Sequence, residues 1–423
     1  MTNGIIEFLN IKEEIESISC QSLKDELLIE FSLTTRVLEC PTCKERTSKV
    51  LNKYLRKINH GLFLNRKCTV LYHQKRYRCP FCQSSFNEPC SLVTKGAKKS
   101  LASYLQIMEL LKDPHITFKL VGELLNLSTQ TVLDTFLDHV PEFKPVLPRA
   151  LCIDEVYLGR KSRKKYVAVL MDFETGLIID IIQGRTKNDL HSYFQRFTPE
   201  ERQHVEYLSC DMYEGFRFLK TTYFKKAKVC IDPFHVIQLI NTVLDNEIKR
   251  VMNRYEEGST PYYLLKKKRS LLLKNAVKID WTKREYNHHF KYTITNHKMR
   301  ELQFEIDPII KEIYSLKEEY LWINARKDLN LVETKLDHFI STCVYHTHSD
   351  LRRVGRTLMK WKREILNSFT WLNSRRISNG PIESRNNIIK LLIRNAAGYR
   401  NLDTLRLRIL YVLNAKKKGP QSY

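Results

Sequence analysis

The sequence predicts a multidomain α+β chain, and three observations carry that prediction. Two paired cysteine units, Cys40-Pro-Thr-Cys43 and Cys79-Pro-Phe-Cys82, lie near the N-terminus. Two short helical stripes separated by a break follow between Ile116 and Phe136. Beyond Pro141, Pro145 and Pro148 the periodicity changes to strands alternating with helices. With 423 residues, 43% of them hydrophobic and only 13 Gly and 13 Pro, the chain is globular and too long for a single core.

Charge narrows the function classes. Lys and Arg outnumber Asp and Glu by 71 to 47, a formal charge of +24. The basic residues are interleaved with aromatic and apolar ones rather than gathered in a tail, so a polyanion, nucleic acid, is the expected partner. No stretch approaches the eighteen or so apolar residues that span a bilayer. The N-terminal MTNGIIEFLNIKEEIES has no basic n-region and no long apolar core, so a cytoplasmic location is expected. Thiols stay reduced there, and the eleven cysteines need an explanation other than disulfides.

The first element, residues 1–95, supplies one. Two residues between thiolates let a short turn present both sulfurs to one ion, and two such turns complete a closed tetrahedral site. Cys40, Cys43, Cys79 and Cys82 are therefore expected to hold a structural Zn²⁺ that nucleates a small zinc-binding domain. Lys53, Arg56, Lys57, Arg66, Lys67, Lys75, Arg76 and Arg78 surround the unit, with Tyr54, Tyr72 and Tyr77 between them, a composition suited to DNA phosphates. His60, His73, Cys68 and Cys90 could substitute as ligands, and read first as packing residues. Residues 96–140 follow as a helix-turn-helix DNA-binding domain. Leu120, Val121, Leu124 and Leu125 stripe its first helix, Asn126 and Leu127 break it, and Ser128 caps a second that continues through Val132, Leu133 and Phe136. Thr129, Gln130 and Thr131 would then face base edges from the N-terminal end of the second helix.

The prolines of 141–149 make a linker. Residues 150–156, 166–171 and 177–183 read as hairpin-linked strands, the first two joined by the basic loop from Gly159 to Lys165. Residues 187–197 suit a helix, 205–210 a strand, 214–222 a helix and 227–231 a strand. That order is the order of a ribonuclease-H-like α/β core, whose first part would be 150–235. Residues 236–376 form a large all-helical insertion containing all four Trp, and 377–423 return to the core as C-terminal helices.

This order sets the geometry of three acidic residues. Asp154 lies on the central strand, Asp211 ends the neighbouring one, and Glu383 enters from the first turn of a late helix opened by Pro381. On that helix Glu383, Asn387, Lys390 and Arg394 share an arc opposite Ile382, Ile388, Ile389, Leu392 and Ile393. Glu383 would meet the aspartates while Lys390 and Arg394 follow the DNA backbone. Hard oxygen ligands suit Mg²⁺ (or Mn²⁺), and two ions roughly 4 Å apart serve phosphodiester chemistry. Glu155, Asp172, Glu206 and Glu214 are rival acids; strand alternation turns Glu155 away from Asp154, and Asp172 sits in a turn.

Zinc module, helix-turn-helix and acidic core in this order resemble the insertion-sequence DDE transposases of the ISL-three family. The resemblance runs from about Cys40 to Arg408. It rests on the two Cys-Pro-x-Cys units, Ile-Asp154-Glu-Val-Tyr, Ser-Cys-Asp211-Met-Tyr, Asp232-Pro-Phe-His235-Val and Ser-Asn-Gly-Pro-Ile-Glu383-Ser-Arg-Asn-Asn-Ile-Ile-Lys. Where the family more often has Ser-Gly ahead of the glutamate segment, this chain has Ser378-Asn-Gly-Pro. The resemblance implies Asp154, Asp211 and Glu383 as the catalytic, metal-binding triad, with Asp232 and His235 as an Asp-x-x-His element. His235 would support the scissile phosphate or a site water, or else cap the helix that follows it. It further implies a bacterial, nucleoid-associated protein that binds terminal inverted repeats of double-stranded DNA and cuts and joins them, as a homodimer or larger assembly. Two rivals stand beside it: a transposase-derived DNA-binding regulator without catalysis, and a nuclease acting on RNA or branched DNA.

Overall fold

A computed structural model describes residues 9–63, 65–94, 96–159, 164–399 and 401–415. Arg160, Lys161, Ser162 and Arg163 of the basic loop lie outside the described residues. The chain divides into two compact units, Met1–Phe143 with Leu391–Tyr423, and Lys144–Lys390. Among the described residues no helix is long and apolar enough to cross a membrane.

The first unit is built on a sheet. Its strands are β1 (Ile15–Ser22), β2 (Glu26–Leu33), β5 (Val50–Phe63), β6 (Arg66–Arg78) and β7 (Ser85–Asn87), while β3 (Leu38–Glu39) and β4 (Arg46–Thr47) form a separate small ribbon. The order is β1-β2-β6-β5, with β7 added to β6. Leu27, Ile29, Phe31 and Leu33 alternate along β2 and all are buried, so one face of the strand closes a core with Ile58, Val70 and Tyr72. Phe31 and Tyr72 stack with ring centroids 4.7 Å apart. Each such buried side chain contributes roughly 1.5–3 kcal/mol. Tyr72 and Tyr77 are completely buried, so these tyrosines are core residues rather than a face for DNA. Lys75 likewise leaves the expected basic surface. It is fully buried, and its ammonium lies 2.9 Å from Glu16 and donates to the Leu33 carbonyl, because an interior charge must be paired. Lys53, Lys57, Arg76 and Arg78 remain exposed.

Helices α1 (Leu101–Leu110), α2 (Phe118–Leu125) and α3 (Thr129–His139) follow. Ile107, Leu111, Val121, Leu125, Val132 and Phe136 bury a common core. The last helix, Leu402–Ala415, closes that core: Tyr411 meets Phe136 edge to face at 5.5 Å, and buried Arg408 donates to the carbonyls of Asp113 and Ile116. Residues 391–423 therefore group with the N-terminal unit, and the expected return of 377–423 to the core divides within a single helix.

The second unit centres on the sheet β10-β9-β8-β11-β12, formed by β8 (Ala150–Tyr157), β9 (Tyr166–Asp172), β10 (Ile178–Ile182), β11 (Tyr207–Cys210) and β12 (Lys228–Ile231). The first three pair antiparallel, whereas β11 lies parallel to both β8 and β12. The intervening helices are α4 (Lys187–Phe194), α5 (Pro199–Gln203) and α6 (Glu214–Thr222). Helix α7 (Pro233–Met252) then opens the long segment of α8 (Thr260–Lys267), α9 (Ser270–Leu273), α10 (Asn296–Ile306), α11 (Pro308–Asn324), α12 (Leu329–Val344) and α13 (Ser349–Asn367). One continuous apolar core joins Leu151, Ile153 and Leu208 of the sheet to Val236, Ile240 and Leu244 of α7 and to Leu336, Phe339 and Leu358. Gly355 lets α13 approach closely, since a Cβ there would lie 2.6 Å from the Val344 amide nitrogen.

The segment expected to be all helical also holds two ribbons. β13 (Arg284–Asn287) pairs with β14 (Tyr292–Thr295), and β15 (Trp371–Leu372) with β16 (Arg375–Arg376). The second turns through Asn373 and Ser374, whose φ values of 47° and 63° are the two positive angles of a tight hairpin. Helix α14 (Gly380–Asn395) follows directly.

Candidate active site

Asp154 stands on the central strand β8, and Asp211 immediately follows its parallel neighbour β11. Parallel strands present their C-terminal ends on one side, so Asp232, which follows β12, comes to the same rim. Pro233 then starts α7, and His235 lies in its first turn. The His235 imidazole donates from Nε2 to Asp211 Oδ1 at 2.6 Å. This contact makes His235 a partner of Asp211, a role that neither of the two expectations named.

Two asparagines tie the late segment to the aspartates. Asn379 is fully buried; it accepts from the Ser209 hydroxyl at 2.7 Å and donates to Asp211 Oδ1 at 3.2 Å. Asn386, also buried, donates to Asp154 Oδ2 at 2.6 Å. Oδ1 of Asp154 is held by the Glu155 amide at 2.8 Å. Between these asparagines lies Glu383, whose amide bonds to the Asn379 carbonyl as α14 begins. Asp232, His235 and Glu383 each bring one ligand atom within 4.8 Å of the others. Ile382, Ile389 and Leu392 are buried, while Lys390 and Arg394 are exposed, as the apolar and polar arcs of this helix require.

Electrostatics mark the cluster. Burial, followed by the charge of Asp211, pushes the Asp154 carboxyl up to about 6. Asp232 is also pushed up to about 6, chiefly by burial, with Glu383 and Asp211 adding to it. Burial works against the His235 imidazolium, yet Asp211, Asp232 and Asp154 together hold its pKa above the ordinary value. Asp232 Oδ2 is buried without a hydrogen-bond partner among the described residues. Carboxylates crowded at a partly dehydrated sheet edge, one oxygen of them unsatisfied, fit the donor set of a hard divalent cation.

The rival acids separate from this group. Glu155 is paired with the Arg185 guanidinium. Asp172 caps its own turn through Thr175 and Glu174, Glu206 pairs with Arg149, and Glu214 with Lys360. Sequence reasoning missed Asn379 and Asn386. Asn386 was open to discovery, since three residues after Glu383 on a helix is one position round the same face.

In the other unit, Cys40, Cys43, Cys79 and Cys82 converge, with Cys40 and Cys82 sulfurs 3.6 Å apart and Cys43 and Cys79 3.5 Å apart. The two turns repeat one geometry. The Lys44 amide bonds the Cys40 carbonyl and the Gln83 amide the Cys79 carbonyl, and both residues have positive φ, 65° and 59°. The Ser84 hydroxyl and the Cys43 amide draw the Cys40 thiol down to about 6. Four sulfurs so placed, all free of disulfides, are compatible with a tetrahedral zinc site.

The break between α2 and α3 is set by local geometry. Asn126 ends α2 in the left-handed region with φ 55°, and Ser128 caps α3 by accepting from the Thr131 amide at 3.0 Å. Gly122 permits the tight break, because a Cβ there would lie 2.7 Å from the Leu127 carbonyl oxygen. Thr129 and Gln130 are exposed at the start of α3. The Thr131 hydroxyl is shared with Ser128, and the Gln130 amide with Asp134. Leu120 and Leu124 are more than a third exposed, so only half of the predicted α2 stripe is core.

A carboxylate cluster lies at the C-terminal edge of a mixed sheet, in a basic chain with a four-cysteine cluster, an arrangement compatible with divalent-metal binding. Comparison with known proteins is more specific. The family model for ISL3-type DDE transposases, described as "Transposase", matches residues 151–409, and the chain belongs to that family. Two curated relatives, each a "Transposase for insertion sequence element IS1557", come from Mycobacterium tuberculosis strains CDC 1551 / Oshkosh and ATCC 25618 / H37Rv. Each is 25% identical over 276 residues, an alignment covering 61% of this chain and 58% of the relative.

Proposed function

We propose that this chain is a DDE transposase that binds the terminal inverted repeats of an insertion sequence, cleaves there, and transfers the freed strand to target DNA. The observation that carries the reading is a chain of interactions inside the family-matched region: the charges of Asp211 and Glu383 both bear on Asp154, His235 bonds Asp211, and Asp232, His235 and Glu383 each bring one ligand atom within 4.8 Å of the others. The strand order β10-β9-β8-β11-β12, three antiparallel strands followed by two parallel ones, supports a ribonuclease-H-like core with residues 236–376 as its insertion.

Asp154, Asp211 and Glu383 would hold the catalytic Mg²⁺ or Mn²⁺, with Asp232 beside them. A bound pair of such ions activates a water or 3′-hydroxyl and neutralises the leaving oxygen. The protein's own share is orientation. Asn386 fixes one oxygen of Asp154, Asn379 and His235 fix Asp211, and Asn379 also sets the start of the helix that carries Glu383. His235, bonded to Asp211, would lie beside the phosphate. Zn²⁺ on Cys40, Cys43, Cys79 and Cys82 would order the N-terminal module. That module and Thr129, Gln130 and Thr131 would read the DNA ends, with Lys390 and Arg394 on the backbone. Two ends require two active sites, so the working form is a homodimer or larger assembly on double-stranded DNA, in the bacterial cytoplasm.

The test is cleavage of DNA flanking this protein's own gene, with Mg²⁺, beside an Asp154→Asn control. The account expects Mg²⁺-dependent nicking at the repeat ends that the variant loses. Tight end binding without metal-dependent cleavage would instead identify a regulator descended from such an enzyme.

A further inference from the structure

Beside the carboxylates lies an open cavity of about 370 Å³, sharing Asp211 and His235 with the site just described. Its remaining wall is unlike the metal edge. Tyr213 presents a ring that is 36% exposed yet firmly set, edge-on to Phe216 at 5.3 Å and over Gly215, where a Cβ would lie 2.3 Å from the ring. The flat Arg185 guanidinium lies 4.0 Å over Tyr166 and 5.6 Å from the Tyr213 ring. Glu155 pairs with that guanidinium and cancels its charge. Met212 adds an apolar surface, and Gln238 and Thr242, one turn apart on α7, bring an amide and a hydroxyl to the rim.

A wall with planar surfaces, one neutralised cation and two neutral polar groups does not suit a phosphate. It suits a flat, uncharged ring with hydrogen-bonding edges. The volume falls in the range of small-ligand pockets, roughly 300–1,000 Å³. Whatever enters touches Asp211 and His235, so it lies next to the reacting phosphate. We propose that this cavity receives an unstacked nucleobase of the nucleotide flanking the scissile phosphate, stacked on Tyr213 and Arg185 with its edge toward Gln238 and Thr242. Aromatic and guanidinium faces stabilise a base taken out of the duplex, and the enzyme thereby gains access to the backbone bond beside it. This inference rests on the transposase reading and adds a binding site to it.

The experiment uses the full chain with Mg²⁺ and duplex end DNA in which each nucleotide flanking the cut is replaced singly by an abasic residue. Thr242→Trp fills the cavity from an exposed helix position, and Tyr213→Ala removes its stacking face, with Tyr213→Phe as the conservative partner. Stacking losses of this kind predict about tenfold slower cleavage of the normal end for Thr242→Trp and Tyr213→Ala, with Tyr213→Phe restoring most of the rate that Tyr213→Ala loses. An abasic residue at one flanking position should return both slow variants to the wild-type rate on that DNA. Unchanged cleavage by Thr242→Trp and Tyr213→Ala, or a defect that no abasic position relieves, would overturn the base pocket while leaving the transposase reading intact. If the wild-type protein cleaves no end at all, the transposase reading falls and the pocket with it.

Discussion

Removing one charge from the proposed catalytic centre should make the metal-free protein more stable while destroying its activity. Asp154 has its pKa raised from 3.8 to about 6, first by burial and then by the charge of Asp211. A carboxylate whose folded pKa is raised contributes its stability fully below the unfolded value, here 3.8, and loses it as pH rises through about 6. At pH 7.5 the folded state therefore carries the whole penalty. Two pKa units correspond to about 3 kcal/mol, and partial relaxation and solvent access reduce this to about 2 kcal/mol. Asp154→Asn removes the charge with little loss of bonding. The new side chain keeps its acceptor for the Glu155 amide. Its amide can meet Asn386 Oδ1, which has no partner now, once the Asn386 amide turns over. For a unit of this length about 2 kcal/mol is roughly 4–8 °C in Tm. The assay is calorimetry without added divalent ions, at pH 7.5 and pH 5.0. The gain should be clear at pH 7.5 and smaller at pH 5.0, where Asp154 is itself protonated. A variant no more stable than wild type at pH 7.5, or a gain larger at pH 5.0, would refute the reasoning.

Other consequences are as specific. Cys40→Ser combined with Cys43→Ser should remove about one zinc per chain by metal analysis and unfold the N-terminal module, since structural zinc energy is folding energy. Gly122→Ala should destabilise the unit by about 1–3 kcal/mol, because its Cβ would fall 2.7 Å from the Leu127 carbonyl oxygen; denaturant melts and loss of end binding report it. Lys390→Ala and Arg394→Ala should each weaken DNA binding uniformly across sequences and lower the slope of log affinity against log salt by about 1.

The second unit was legible because its strands are short apolar runs punctuated by turns. Ala150–Tyr157, Tyr166–Asp172 and Lys228–Ile231 all fall within two residues of expectation. A strand buried on both faces has no polar alternation to hide it. The N-terminal sheet was not legible for the opposite reason. Its long strands β5 and β6 carry Lys, Arg, His, Asn and Gln along their length. What makes Lys75 tolerable inside is Glu16, which lies 59 residues earlier and is invisible to a local pattern. The final helix has apolar residues on several faces, and nothing local says that Tyr411 packs on Phe136. At the candidate site the acids were readable from strand ends and a helix start. The choice of Asn386 over Asn387 depends on how α14 is rotated against the sheet, which packing decides. Asn379 looked only like a departure from a familiar pattern, yet it touches both Ser209 and Asp211.

The most direct measurement is anomalous diffraction from crystals grown with Mn²⁺ and an end-DNA duplex. The account predicts strong peaks at the β8–β11 edge, ligated by Asp154, Asp211 and Glu383 and lost in Asp154→Asn. Density absent from that edge, or manganese held there without Asp154 and Glu383, would contradict it.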